Sequence, residues 1–375
     1  MRIGIAYNLK SDFSPLRGNG KADDQAEEFD LPETVDAIKE VLSREGHEVF
    51  LLGGGLEVIE KIKRWGIEFI FNIAEGFRGR NREAHLPSLF EMMEIPYSGS
   101  DPLGLAVSLD KAMAKRIAIS LGIPTPAFWV LRAPDKNSPR PSLRGARHRT
   151  LAGDEAISKP RLLRPFGARN DVLLGIPNQF PLFVKPLRQG SSKGIRRSSR
   201  VGDRLALEKE ILRLSENYPG EAILVEEYIE GREFTAGVIG NGMPEVIGVM
   251  EIQFRDPRAR DFCYSLEVKR NFREEVEYRL LPACDQSIEE KIGRAACRLF
   301  ECLELRDVAR FDFRMNRKGE FYFLEVNPLP GLSPESGDLV ILAQKKGWSY
   351  RDLILKIIRS AFSRCPELNA RLHVH

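Results

Sequence analysis

A chain of 375 residues has room for two or three domains and a sizeable core, and 42% hydrophobic with 30% charged residues is the composition of a soluble globular protein. A formal net charge of +3 is too small at this length to imply a nucleic acid or an anionic membrane as partner. No stretch is apolar enough to span a bilayer, and Met1 leads directly into the strand-like MRIGIAY without a basic leader, so a cytoplasmic protein is expected.

The first hundred residues alternate in type. Arg2 to Tyr7, Glu48 to Leu52 and Glu68 to Ile73 are short apolar runs that read as strands. Between and after them, 31–44, 56–64 and 85–93 have helical spacing, and this βαβα order predicts a doubly wound parallel sheet covered on both faces. Ligands of such sheets sit at the strand ends, which singles out Asn72-Ile73-Ala74-Glu75-Gly76 and the basic loop Arg78 to Arg82; the plainer alternative for that loop is a solvated turn. Gly53-Gly54-Gly55 lacks the third glycine of GxGxxG, and no GxxxxGK[ST] occurs, so a bound nucleotide would use neither fingerprint. The five cysteines form no CxxC pair and no zinc-like spacing, and they read as reduced, mostly buried thiols.

A helix is expected over Asp110 to Leu121 and a strand over Ala127 to Leu131. From Arg132 to Gln179 the character changes to proline, serine, glycine and arginine without periodicity, which reads as an insertion whose arginines are either solvated or contacts for an anionic substrate. Order returns with the buried strand PLFVKP, which delivers Lys185 into the loop Gly190-Ser191-Ser192-Lys193-Gly194; backbone N–H groups and hydroxyls there can close over phosphates. A helix over 204–217 and a strand over 222–225 lead into Glu226-Glu227-Tyr228-Ile229, able to offer acceptors to an adenine amino group, with Ile229 against the ring and Glu233 near a ribose. Each of these features, alone, is equally an ordinary structural one.

Near the C-terminus, VARFDFRM and FYFLEVNP flank Asn316-Arg317-Lys318-Gly319 and read as a β-hairpin. Side-chain alternation puts Arg310, Asp312 and Arg314 on one face and Glu325 with Asn327 on one face, so the hairpin can set Asp312 beside Glu325. Two carboxylates and an amide suit a nucleotide-bound magnesium; the alternative is the polar face of an antiparallel sheet.

Taken in order, SLDKAMAKRIAISLGIPTP, FPLFVKPLRQGSSKGI, VEEYIEGREFTAGV, VARFDFR and FYFLEVNPLPGLS resemble the ATP-grasp ligases, and in particular the D-alanine:D-alanine ligase family, with Phe71 to Ser100 similar to that family's first domain. The resemblance implies a doubly wound N-terminal domain (1–100) and a two-part ATP-grasp fold with mixed and antiparallel sheets: a central subdomain (101–227, carrying the insertion at about 132–179) and a C-terminal one (228–375). It implies ATP and Mg²⁺ (or Mn²⁺), amino acid substrates, and dipeptide synthesis through an acyl phosphate for cell-wall peptidoglycan; a homodimer is compatible with it. Residue by residue, Lys111 and Lys185 match phosphate-contacting lysines, and Glu226, Glu227, Ile229 and Glu233 match adenine and ribose contacts. Asp312, Glu325 and Asn327 match metal ligands, Arg310 and Gly331 match residues holding the acyl oxygen, and Lys269 matches a lysine of a closing loop expected over 255–278.

The departures concern substrates. The glycine-rich serine motif with an embedded glutamate is replaced by NLKSDFSPLRGNG, leaving Glu27 or Glu28 as substitutes for the residue that fixes the first amino group; Glu75, at the end of the third strand, is expected among the substrate-binding residues. Arg270 stands where the family has a lid tyrosine partnering Ser191, which either points to a first substrate with an additional anionic or polar group or leaves the guanidinium directed to solvent from a mobile loop. Ser336-Gly337 replaces serine-leucine at the second substrate's carboxylate. Other amino acids, a hydroxy acid or a peptide therefore stay open as substrates, and so does a nucleotide-binding regulator without turnover.

Overall fold

The computed structural model describes residues 1–12, 23–132, 143–144, 162–163, 175–176, 178–256 and 264–368. The insertion expected over 132–179 therefore lies almost wholly outside the described residues, as does part of the closing loop.

The apolar runs at the start of the chain become parallel strands because both of their faces are covered. β1 (Arg2–Ala6), α1 (Pro32–Arg44), β2 (Glu48–Gly53), α2 (Glu57–Trp65), β3 (Phe69–Asn72) and α3 (His85–Met92) follow the predicted alternation, with the strands in the order β2-β1-β3. Ile3, Ile5, Phe69 and Phe71 pack with Val35, Ile38 and Leu42 of α1, while Ala6, Leu52 and Ile70 pack with Val58 and Ile62 of α2 and with Phe90 of α3. Gly4 is required in β1, since a Cβ there would meet Leu52 Cδ1 at 2.4 Å.

The middle of the chain forms α4 (Pro102–Leu109), α5 (Lys111–Ser120), β4 (Phe128–Leu131), the two-residue β5 (Leu143–Arg144) and β6 (Leu162–Leu163), β7 (Leu182–Pro186), β8 (Arg200–Val201), α6 (Arg204–Asn217) and β9 (Ile223–Glu227). Aspartates start the helices: Asp101, Asp110 and Asp203 accept from the N–H of Gly104, Met113 and Ala206, two of them at 2.8 Å and Met113 at 3.2 Å. β4-β9-β7-β8 is an antiparallel sheet, with Val184, Val225 and Trp129 on the face packed by α6.

The last part comprises β10 (Gly231–Gly240), β11 (Glu245–Phe254), α7 (Leu266–Arg270), α8 (Phe272–Glu275), β12 (Val276–Leu280), α9 (Gln286–Cys302), β13 (Asp307–Asn316), β14 (Phe321–Asn327), α10 (Asp338–Lys345) and α11 (Tyr350–Ser363). The antiparallel order is β12-β11-β10-β13-β14, and Phe234, Ala236, Phe311, Phe313 and Phe323 pack under α9 with Leu299 and Phe300. α11 crosses to the N-terminal sheet, where Phe362 meets Phe69 edge-on at 4.8 Å between ring centroids. No helix among the described residues is long and apolar enough to cross a membrane. Cys284 and Cys302 are exposed and Cys297 and Cys365 half-buried, so these four correct the expectation of mostly buried thiols; Cys263 lies outside the described residues.

Asp307 ties these parts together. Fully buried, it accepts from Gly99 N at 2.7 Å, from Asn241 Nδ2 at 2.8 Å and from the Arg364 guanidinium at 3.0 and 2.7 Å. Asp307→Ala leaves that guanidinium without its partner and should lower stability by about 3 kcal/mol in urea unfolding at unchanged m-value; a loss below about 1 kcal/mol would contradict the account.

Candidate active site

The hairpin forms with Asp312 directly across from Glu325 and Arg310 across from Asn327. Its alternation sends Phe311 and Phe313 into the core and Arg310, Asp312 and Arg314 to the opposite face. On β14 simple alternation fails. Phe323 and Glu325 are two apart, yet Phe323 is in the core and Glu325 lines a cavity, because a bulge opens between the pairs Asp312–Glu325 and Phe313–Phe323. The extra residue, Leu324, re-aims the strand end so that Glu325 and Asn327 face the cavity while Val326 returns to the core.

From the four-stranded sheet, Lys185 Nζ lies 2.8 Å from Glu226 Oε1 and 3.7 Å from Glu325 Oε2. Lys111, the first residue of α5, reaches the same Glu325 oxygen at 3.6 Å and donates to Gln189 O at 2.6 Å. Burial pushes the Glu325 carboxyl up, but Lys111, Lys185 and Arg310 outweigh it and hold it at about 2. Lys115, one turn along α5, was not anticipated. Fully buried, it lies 3.0 Å from Glu226 Oε2 and donates to Thr125 and to Phe323 O; burial lowers it to about 8, against Glu226. An i, i+4 partner of Lys111 on an amphipathic helix reads as solvent-facing, which hid it.

Arg310 grips Asp312 with both arms at 3.1 and 2.9 Å and reaches Asp338 at 3.2 Å. Asp338 also accepts from Tyr278, whose hydroxyl meets that of Tyr264 at 2.9 Å. Asp312 takes further bonds from Thr235 at 2.8 Å and from Asn327 Nδ2 at 3.0 Å; burial nevertheless raises it, with Glu325 adding to the effect and Arg310 opposing. Asp338, Tyr264, Tyr278 and Thr235 carried no signal, since they come from four separate parts of the chain.

Glu227, Ile229, Glu233, Gly331, Ser191, Lys269 and Glu75 line the same cavity. Ser191 and Ser192 both take left-handed backbone, φ 50 and 59, which in a glycine-flanked loop turns successive N–H groups to one side. Lys269 makes no ion pair among the described residues, and burial lowers its pKa. Burial raises Glu233 to about 7 against Arg314, 3.7 Å away.

Two expected residues lie elsewhere. Ser336 is not part of the cavity wall and donates to Ser333 Oγ at 3.0 Å. Arg270 is exposed and pairs with Glu27 at 2.7 Å and Asp23 at 3.1 Å, so its charge is already answered and it gives no support to an anionic first substrate. Those partners lie 243 and 247 residues upstream, beyond any local pattern. Of the two glutamates considered as substitutes, Glu28 lines the cavity; Arg82 at 2.7 Å, Lys193 at 3.0 Å and Gly190 N hold it at about 2 against burial.

Asp312, Glu325 and Asn327 suit a hard divalent cation that keeps other oxygens as ligands. No group of three or more His, Cys, Asp or Glu among the described residues could hold a metal alone, so such an ion would complete its shell from phosphates or water.

A D-alanine–D-alanine ligase of Aquifex aeolicus is 30% identical over 325 residues, covering 87% of this chain and 93% of that protein. This chain belongs to the D-alanine–D-alanine ligase family. The family model described as the D-ala D-ala ligase C-terminus matches residues 174–359, the segment that runs from β7 into α11. A protein of Sinorhizobium fredii called y4sG, described as uncharacterized, is 28% identical over 342 residues, 88% of each chain. The crystal structure of the Bacillus anthracis D-alanine–D-alanine ligase complexed with ATP has the same fold, with TM-score 0.64 and 22% identity over 98% of this chain and 99% of that one.

Because Glu233 binds its proton more tightly folded than its ordinary value allows, its contribution is present below that value and lost as pH rises through about 7. Urea midpoints should therefore fall between roughly pH 5 and pH 8, and fall less in Glu233→Gln. Equal slopes would contradict the assignment.

Proposed function

We propose that this protein joins two molecules of D-alanine, with hydrolysis of ATP to ADP and phosphate, through an acyl phosphate. The observation that carries the reading is the convergence of Lys111 and Lys185, from a helix and a strand, on Glu325 opposite Asp312, in a chain of this family. That arrangement sets excess positive charge beside paired carboxylates, which is what the meeting of a carboxylate with a γ-phosphate needs.

The carboxylate of the first D-alanine attacks the γ-phosphorus, and ADP leaves. Both partners are anions, and the ammonium groups of Lys111, Lys185 and Lys269 screen their repulsion in a site shielded from water. The serine turn at Ser191 offers backbone N–H groups to phosphate oxygens, Glu226, Glu227 and Ile229 take the adenine, and Glu233 takes the ribose. Asp312, Glu325 and Asn327 would hold magnesium or manganese, which when bound neutralises charge across the phosphates. The amine of the second D-alanine then attacks the acyl carbon, and Arg310 with a backbone N–H near Gly331 steadies the oxyanion until phosphate departs.

Incubation with ATP, magnesium and D-alanine should release phosphate and yield D-alanyl-D-alanine by mass spectrometry. Glu325→Gln and Asn327→Ala should each lower kcat by at least about 100-fold with the melting temperature nearly kept. Unchanged kcat in either removes its metal role, and absence of phosphate release with any amino acid favours a non-catalytic nucleotide binder.

A further inference from the structure

The carboxyl edge of the parallel sheet carries acid that the reading above does not use. Asn72 ends β3, Glu75 follows three residues later, and Glu83 lies in the short helical turn Arg82–Ala84; all three line the cavity. Glu83 is 7% exposed, it shares the cavity wall with Glu75, and its charge helps to push the Glu75 carboxyl up. Two buried carboxylates on one cavity wall are disfavoured as a doubly charged pair, and a cation placed between them relieves that repulsion.

The neighbouring charges do not supply that cation. Arg82 lies 4.0 Å from Glu83 but is committed to Glu28 at 2.7 Å, and Lys193 is likewise taken by Glu28 at 3.0 Å. Lys111 also faces Glu83 but is engaged with Gln189 and Glu325, while Asp30 and Glu28 add further negative charge towards Glu75. Burial accordingly raises Glu83 to about 7 and Glu75 well above the usual carboxylate range.

A second observation points to a ligand. Asn72 is 4% exposed; its Oδ1 accepts from Ala74 N at 3.2 Å, which fixes the amide, and its Nδ2 then has no hydrogen-bond partner. An unanswered buried donor costs on the order of 1–3 kcal/mol unless something arrives to accept from it. A carboxyl pair that wants an ammonium, beside an amide that wants an oxygen, is complementary to an α-amino acid.

We infer that Glu75 and Glu83, with the Asn72 amide beside them, receive the ammonium group of the carboxyl-donating amino acid, the role left vacant by the missing N-terminal glutamate motif. This rests on the ligase reading. Glu28 is already balanced by two cations, and a backbone N–H takes a third position among its roughly four acceptor positions, while Glu27 is held by Arg270 and by Lys10 at 3.3 Å.

Hydroxylamine isolates the first half-reaction. Its nitrogen attacks the acyl carbon, the bond to the phosphate oxygen breaks, phosphate leaves, a proton passes to solvent, and with hydroxylamine in large excess over the acid a hydroxamate accumulates in place of the dipeptide. Hydroxamate is measured with D- and L-alanine, D- and L-lactate and propionate, for the wild type, Glu75→Gln and Glu83→Gln, with the thermal shift produced by Mg-ATP as the check on folding. The wild type should prefer the better alanine enantiomer over lactate and propionate by at least about 100-fold, and both variants, still shifted by Mg-ATP, should cut that ratio to within about threefold. Wild-type preference below about threefold, or preference retained in either folded variant, would overturn the inference. If one variant fails to fold, the other decides. Hydroxamate with none of the acids would overturn the ligase reading, and this inference with it.

Discussion

Lys185 holds carboxylates from two sheets at once, and the rest of the cavity depends on it. Glu226 is on the adjacent strand of its own sheet, whereas Glu325 ends the hairpin of the other. With Lys115 on the far oxygen of Glu226 and Lys111 on Glu325, three ammonium groups serve two carboxylates, an excess of one positive charge. Beside them Arg310 alone serves Asp312 and Asp338, an excess of one negative charge. Buried charge imbalances are costly in a dry interior and point to partners that complete them. A polyphosphate answers the first and a divalent cation the second.

The apolar packing sets how accurately these charges meet. The five-stranded sheet buries one face under α9, and its other face carries Ile239, Ile247 and Val308 against α10 and α11 as well as the polar Arg310 and Asp312, so the phenylalanines that stabilise the hairpin also fix the aim of those two side chains. α11 carries the same rigidity to the N-terminal sheet, whose strand ends supply Glu75 and Asn72 to the shared cavity. The segment 23–30 adds polar ties: Asp24 accepts from Gly194 N at 2.9 Å, and Glu28 binds the same loop through Lys193 and Gly190. The loop around Ser191 is thereby positioned by the N-terminal part of the chain.

Much of this was legible because period and punctuation agreed. The alternation of VARFDFRM, the turn at Asn316 to Gly319 and the alternating first hundred residues each match their elements to within about two residues. The pairing of Asp312 with Glu325 followed from the hairpin, but alternation alone would have sent Phe323 to the same face as Glu325; the bulge that separates them has no clear local mark. Lys115 was hidden because a charged residue on a helix is ordinarily solvated, and only the fold brings Glu226 to it. Arg270 differs for the converse reason: its match to the family's lid tyrosine suggested the substrate, while its partners at 23 and 27 belong to a segment without periodic pattern.

The central claim is that this cavity brings a carboxylate and a γ-phosphate together. Positional isotope transfer tests it most directly. With D-alanine labelled with ¹⁸O in both carboxylate oxygens, the account predicts that each inorganic phosphate released carries one ¹⁸O, since the oxygen that attacks phosphorus leaves with it. Unlabelled phosphate accompanying dipeptide formation would contradict the account.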